Sequence, residues 1–214
     1  MALHFSSASS SFRTPFKQNR LLQICLLLFF ILWVSTFIGT SNLSNWFTEN
    51  TLTFLFLLGI ITSYKKFKFS DLSYFIMFVY ICLHVYGAKY TYAENPFGHW
   101  LKDTFHLARN HYDRIVHFSF GFLLAYPMRE YFKNHFQWPN WVCWVLPCEI
   151  TLSFSGAYEI IEWAVADVFF PSEGVAYLGT QGDIWDAQKD MSLAWLGSIL
   201  IMLLTFLVRK LIKK

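Results

Sequence analysis

The feature that most limits the fold of this 214-residue chain is a series of apolar blocks, each close to the length of a membrane crossing. A helix needs about 20 residues, at a rise of about 1.5 Å each, to span the hydrocarbon core of a bilayer. Hydrophobic residues make up 55% of the chain and charged residues only 14%, whereas roughly 25% of an ordinary soluble domain is charged. We therefore expect an all-α, polytopic transmembrane helix bundle.

The blocks predict about six spans. The first block is too long for a signal-peptide core and lacks a small-residue cleavage site, so we expect it to be retained. This gives a cytoplasmic N-terminal segment (1–20), a six-helix transmembrane domain (21–208) and a basic cytoplasmic tail (209–214). The spans are expected at about 21–40, 51–64, 72–90, 113–131, 141–163 and 184–208, with longer loops at 91–112 and 164–182.

The distribution of Lys and Arg predicts the orientation. With six spans, 12 of the 17 basic residues fall on the side that holds both termini, and 5 fall on the other side. Cytoplasmic loops are enriched in Lys and Arg, so the pattern is typical of a bacterial inner membrane protein with both termini in the cytoplasm. The five extracytoplasmic residues are Lys89, Lys102, Arg109, Arg114 and Lys189.

Several classes of site are not indicated. No basic surface interleaved with aromatic residues predicts nucleic acid binding, and the four cysteines lie inside apolar blocks, where free Cys packs as a small hydrophobe. Five of the seven histidines lie between the third and fourth spans or at their outer ends. That grouping permits a divalent metal, but no zinc-binding spacing supports one; metal, cofactor and oligomeric state are left open. These histidines are His84, His99, His106, His111 and His117.

The first set of ionisable groups begins the fourth span. Asp113 and His117 are four residues apart and share a helix face, where the carboxylate can orient the imidazole as a proton acceptor or metal ligand. Alternatively, Asp113, Arg114 and His117 form an interfacial cap and ion pair. The spacing leaves both interpretations open.

Two further sets lie toward the same side. Glu159 and Glu162 share a face beside Tyr158 and could serve as a general acid, a proton carrier or a hard-cation ligand; alternatively, they are solvated at the membrane surface.

Acids near the start of the last span complement its dipole, and Asp183 could be its N-cap. A cap does not explain Asp190, so a functional stripe is favoured there. The stripe consists of Asp183, Asp186 and Asp190.

Together these groups predict a site near the extracytoplasmic face, because an ionisable side chain inside a span usually faces the bundle interior and has a partner. Arg109 and Arg114 are predicted to contact the phosphate of a headgroup. The residues predicted to carry the chemistry are Asp113, His117, Glu159, Glu162, Asp183, Asp186 and Asp190.

The chain resembles the YjdF family of bacterial inner membrane proteins nearly end to end, and its C-terminal half is similar to VanZ-type membrane proteins. The VanZ pattern is echoed by Asp113-Arg114-x-x-His117, Glu159-x-x-Glu162 and Asp183-x-x-Asp186-x-x-x-Asp190. Relative to the VanZ pattern, Arg114 stands in place of a Lys, Glu162 in place of a Gln and Asp190 in place of an Asn. Gly197 is the nearest match to a glycine expected soon after the last motif position. The resemblance implies a membrane bundle and supports this choice of residues.

Three functions remain open. The protein could bind or act on a lipid or lipid-linked envelope component at the polar cluster, which we favour. It could be a proton- or cation-coupled transporter, although the charges crowd one face and no inverted repeat is visible. It could also be a structural or envelope-stress accessory protein, whose polar groups only hold the helices together.

Overall fold

A computed structural model describes residues 14–40, 42–169 and 180–212. These residues form seven α-helices and no strand, which confirms the predicted all-α class. A π-helical segment, Ala164–Phe169, continues the sixth helix. The helices are α1 (Arg20–Ile38), α2 (Leu43–Tyr64), α3 (Asp71–Lys89), α4 (Pro96–Phe105), α5 (Tyr112–Asn134), α6 (Asn140–Trp163) and α7 (Asp186–Ile212).

Six of these helices have between 19 and 27 residues, in agreement with about six spans. Three of them, α1, α3 and α7, are long and apolar enough to cross a membrane, and 18-residue stretches within them have mean hydropathies of 2.5, 1.4 and 2.3. The other three, α2, α5 and α6, have 22, 23 and 24 residues but carry more polar side chains. Exposed side chains such as Ile61 on α2 and Phe154 on α6 are apolar, as a lipid-facing surface requires.

The start of α2 differs from the prediction. Residues 41–50 were expected to form a polar stretch before the second span, but α2 begins at Leu43, where the Asn42 side chain accepts a hydrogen bond from the Asn45 N–H group at 3.0 Å. Glu49 and Asn50 are buried. These polar residues belong to the helix because they face the bundle interior rather than water or lipid.

The predicted loop at 91–112 was also wrong in part, because it contains the ten-residue helix α4. The Asn95 side chain accepts hydrogen bonds from the Phe97 and Gly98 N–H groups, and Pro96 occupies the first turn. Asn at the N-cap followed by Pro is a common helix start. The second predicted loop, 164–182, opens with the π-helical segment, and its residues 170–179 lie outside the described part of the chain.

Two glycines allow α5 and α7 to pack backbone against backbone. Gly121 on α5 lies against the carbonyl of Ala194, and Gly197 on α7 lies against the carbonyl of Phe118. A β-carbon at either glycine would collide with these backbone atoms. Small residues are what such close helix contacts in membranes require. The contact holds the N-terminal halves of α5 and α7 side by side, and those halves carry Asp113, His117, Asp186 and Asp190.

Gly197→Ala is expected to lower the free energy of unfolding by about 1–3 kcal/mol, because the added methyl group forces the two backbones apart. The matched control is Gly59→Ala on α2, where an added β-carbon meets no atom within 4 Å. Denaturation of the purified variants in detergent by increasing dodecyl sulfate measures the difference. Equal stability of the two variants would contradict the close α5–α7 contact.

Candidate functional site

The start of α5 is tied to the segment that precedes α7. The Asn110 side chain donates to the Asn95 carbonyl at 3.0 Å and accepts from the Tyr112 N–H group at 3.0 Å. The Gln181 side chain accepts from the Asn110 N–H group and donates to the Asn110 carbonyl, both at 2.9 Å. These bonds place Arg109, the preceding residue, against the start of α7.

Arg109 and Arg114 hold two of the predicted aspartates. The Arg109 guanidinium is buried and donates to both carboxylate oxygens of Asp186, with Nη2 3.0 Å from Oδ2, and to the Thr180 carbonyl at 3.1 Å. Arg114 Nη2 donates to Asp183 Oδ2 at 2.5 Å and to Asp186 Oδ1 at 3.0 Å. Two-pronged arginine–carboxylate pairs are among the strongest charge-assisted hydrogen bonds. The network joins the N-terminal end of α5 to the N-terminal end of α7.

Asp183 lies outside the helices and accepts hydrogen bonds from two further donors. Lys189 Nζ donates to Asp183 Oδ2 at 2.6 Å, and the Trp185 N–H group donates to Oδ1 at 3.1 Å. The hydrogen bonds from Lys189, Arg114 and the Trp185 backbone lower the pKa of Asp183 well below its ordinary value. Because this pKa is depressed on folding, the ionised Asp183 stabilises the folded protein above the ordinary Asp pKa, and this stabilisation is lost progressively as the pH falls from that value through the depressed pKa.

His111 precedes α5 and faces the same network. Burial, followed by the positive charge of Arg114, lowers the pKa of His111. Its Nδ1 atom lies 3.4 Å from Nη1 of Arg114. The lowered pKa favours the neutral imidazole, which extends the polar surroundings of the guanidinium.

Asp186 and Asp190 share one face of α7, as their spacing predicts, whereas Asp183, the first member of the predicted stripe, precedes the helix. Asp190 is buried, lies 4.0 Å from Arg114 Nε, and its Oδ1 atom has no hydrogen-bond partner among the described residues. Asp113, Asp186 and Asp190 each offer a carboxylate oxygen within 4.8 Å of the others. Oxygen ligands of this kind suit a hard divalent cation. The two guanidinium groups on Asp186 compete with such a cation electrostatically.

The His117 imidazole joins the first and second predicted sets. Its Nε2 atom is 3.6 Å from Asp113 Oδ1 and 3.5 Å from Glu159 Oε1, and its Nδ1 atom is 3.3 Å from Ser155 Oγ. The side chains of Ser155 and Glu159 come from α6, and those of Asp113 and His117 come from α5. An imidazole between two carboxyl groups can accept a proton from one and deliver it to the other.

A second layer of polar groups is centred on Glu49, which the sequence did not predict to belong to the site. The Tyr158 hydroxyl donates to Glu49 Oε2 at 3.0 Å and also interacts with Glu162. His84 Nε2 lies 3.2 Å from the Glu49 carbonyl, and His84 Nδ1 lies 2.6 Å from the Tyr92 hydroxyl. Glu49 was placed before the second span, and no spacing within its own helix points to partners on α3 and α6.

A cavity of about 380 Å³ opens beside these polar groups. It is bounded by α2, α3, α5 and α6 and runs along α5 from Asp113 to Met128, about 22 Å at a rise of about 1.5 Å per residue. Most of its wall is apolar, including Leu55 and Phe154, and the polar residues gather at one end. That end consists of His84, Tyr92, Asp113, His117, Ser155 and Tyr158.

The structure gathers the three predicted sets at one end of the bundle, and the catalytic roles assigned to them stay predictions. Arg109 and Arg114 bind aspartates, so their predicted phosphate contact is likewise untested. The grouped histidines lie in different places. His84 and His117 line the cavity, whereas His99 pairs with Glu94 at the surface and His106 is the C-cap of α4.

Arg109→Ala is expected to lower the free energy of unfolding by about 3 kcal/mol, because it leaves the buried Asp186 carboxylate without its two-pronged partner. Lys189→Ala removes a cation of the same network that is half exposed, and we expect a loss below about 1 kcal/mol. Thermal unfolding of both variants in detergent distinguishes the two effects. Similar losses would show that Asp186 is solvated rather than buried.

Comparisons with known proteins place the chain. It is 29% identical over 170 residues to the inner membrane protein YjdF of Escherichia coli (strain K12), an alignment that covers 79% of this chain and 81% of the relative. No solved structure matches it. The family model described as "Predicted membrane protein (DUF2238)" matches residues 21–211, nearly the whole helical region. The chain therefore belongs to this family of membrane proteins.

Proposed function

We propose that the protein binds, and acts on, a lipid or lipid-linked envelope component, with the apolar chain in the cavity and the polar head at the cluster of acids and histidines. The observation that carries the proposal is the cavity itself. It is apolar over most of its length and ends at Asp113 and His117. A site with one long apolar part and one polar end matches the shape and chemistry of an amphiphile.

The walls of the cavity support entry from the membrane. Leu55 on α2 and Phe154 on α6 line the cavity and are also exposed on the outside of the bundle. Lipid chains surround such surfaces in a membrane. A lipid tail can therefore pass between α2 and α6 without first crossing water.

The polar end supports proton transfer. His117 contacts Asp113 and Glu159 and faces the cavity, so it can remove a proton from a bound headgroup and return it to a leaving group. In this proposal Asp190 and Glu162 complete the acidic surroundings. Arg109 and Arg114 position Asp183 and Asp186, and a direct phosphate contact requires one guanidinium to exchange a carboxylate for a phosphate oxygen.

The orientation is part of the proposal. The excess of Lys and Arg on the side of both termini supports a cytoplasmic location for the termini. With that orientation, the cluster would lie at the outer leaflet of an inner membrane. A substrate from the envelope would then meet the site directly.

Leu55→Trp is expected to abolish retention of a bound lipid, because the indole fills the cavity between α2 and α6. Leu58→Trp is the matched control, since Leu58 is 57% exposed on the same helix, close to the 58% of Leu55, but does not line the cavity. Mass spectrometry of lipids that remain after repeated detergent exchange provides the measurement. Equal retention by both variants would remove the cavity from the proposal.

His117→Gln is expected to keep lipid retention but to stop any conversion of envelope lipids, because glutamine cannot transfer the proton. The reconstituted protein is incubated with an extract of bacterial envelope lipids, and the lipid composition is followed with time. A fully folded His117→Gln variant that converts lipid at the wild-type rate would exclude His117 from the chemistry. Loss of folded protein in both His117→Gln and Asp113→Asn would favour the structural alternative.

A further inference from the structure

A smaller cavity of about 190 Å³, with a polar lining, lies at the opposite end of the bundle from the acidic cluster. It is formed where α3 begins and where α5 and α7 approach their C-terminal ends. The residues that matter here are Ser70, Arg129, Glu130, Lys133 and Arg209.

Arg129, at this end of the bundle, is a cation buried inside the protein. Its side chain is among the most deeply buried in the protein, at 2% exposure, and its Cζ atom lies 3.7 Å from the centroid of the Trp144 ring. Among the described residues, its Nε atom has no hydrogen-bond partner and no carboxylate forms an ion pair with its guanidinium. The indole compensates part of the charge, but a buried guanidinium without an anion is costly.

The charges around Arg129 make the cavity basic. Lys133, one turn further along α5, and Arg209 on α7 are exposed and line the same cavity. The carboxyl group of Glu130 also lines it, but that group caps α3, accepting from the Ser70 N–H at 2.9 Å, from Ser70 Oγ at 2.7 Å and from Ser73 Oγ. Among the described residues that line the cavity, three cations thus accompany one carboxylate, and that carboxylate accepts hydrogen bonds from Ser70 and Ser73.

We propose that this cavity binds a phosphate group, with the planar fork of Arg129 as the deep ligand and Lys133 and Arg209 at the mouth. Arginine matches phosphate geometry with two parallel donors, and lysine adds a point charge. The cavity lies at helix ends, where lipid headgroups lie, and basic pockets between membrane helices are suited to anionic lipids. The same chemistry would also accept free phosphate.

The test uses the purified full-length protein in detergent micelles. Binding of phosphatidylglycerol is measured by native mass spectrometry, with phosphatidylcholine as the neutral lipid, and inorganic phosphate is tested separately by its effect on thermal unfolding. Arg209→Gln is expected to weaken phosphatidylglycerol binding about ten-fold by removing a charge-assisted contact. The control is Lys210→Gln, an exposed neighbour that does not line the cavity, with at most about a two-fold effect.

Arg129→Gln is expected to weaken binding more than Arg209→Gln. If the Arg129→Gln variant does not fold, Arg129→Lys is tested in its place, because lysine keeps the positive charge but lacks the two parallel donors of the guanidinium. Preference for phosphatidylglycerol without an effect of phosphate assigns the site to a lipid headgroup, and an equal effect of phosphate assigns it to a soluble anion. No preference for either anion, or equal losses in Arg209→Gln and Lys210→Gln, would overturn the proposal, because only general surface charge would then be acting.

Discussion

The two-pronged ion pair between Arg109 and Asp186 is the interaction on which the organisation of the polar end depends. It joins residues 77 positions apart in the chain and is buried on both sides. A charge at such a place is stable only when its partner is held in position. The Asn110–Gln181 amide pair beside it supplies that positioning. The N-terminal ends of α5 and α7 are consequently fixed to each other by the protein's own side chains.

The parts of the fold that follow from local sequence were predictable. Apolar blocks of span length correspond to helices, and spacings of three and four residues correctly placed Asp186 and Asp190 on one face of α7. The helix α4 was missed because hydropathy was given more weight than the capping signal of Asn95 and Pro96. The early start of α2 was missed for the same reason, since polar residues were assumed to lie outside the span.

Contacts between helices could not be predicted from spacing. Tyr158 and Glu49 are 109 residues apart, and nothing within either helix indicates the pairing. The cavity is a property of four helices at once, and its volume depends on how closely their backbones approach. Arg129 was counted from sequence only as a charge that favours the cytoplasmic side, and its burial beneath Trp144 became visible only with the packing of α5 against α6.

The glycine contact between α5 and α7 has a mechanical consequence. Gly121 and Gly197 each accommodate a backbone carbonyl of the other helix, so sliding α7 along α5 would drive those carbonyls into neighbouring side chains. The pair therefore behaves as a single rigid rod that carries acids at one tip and cations at the other. Movement of this rod relative to α2 and α6 would be a tilt of the pair as a whole, and such a tilt would change the width of the apolar cavity that α2, α5 and α6 line.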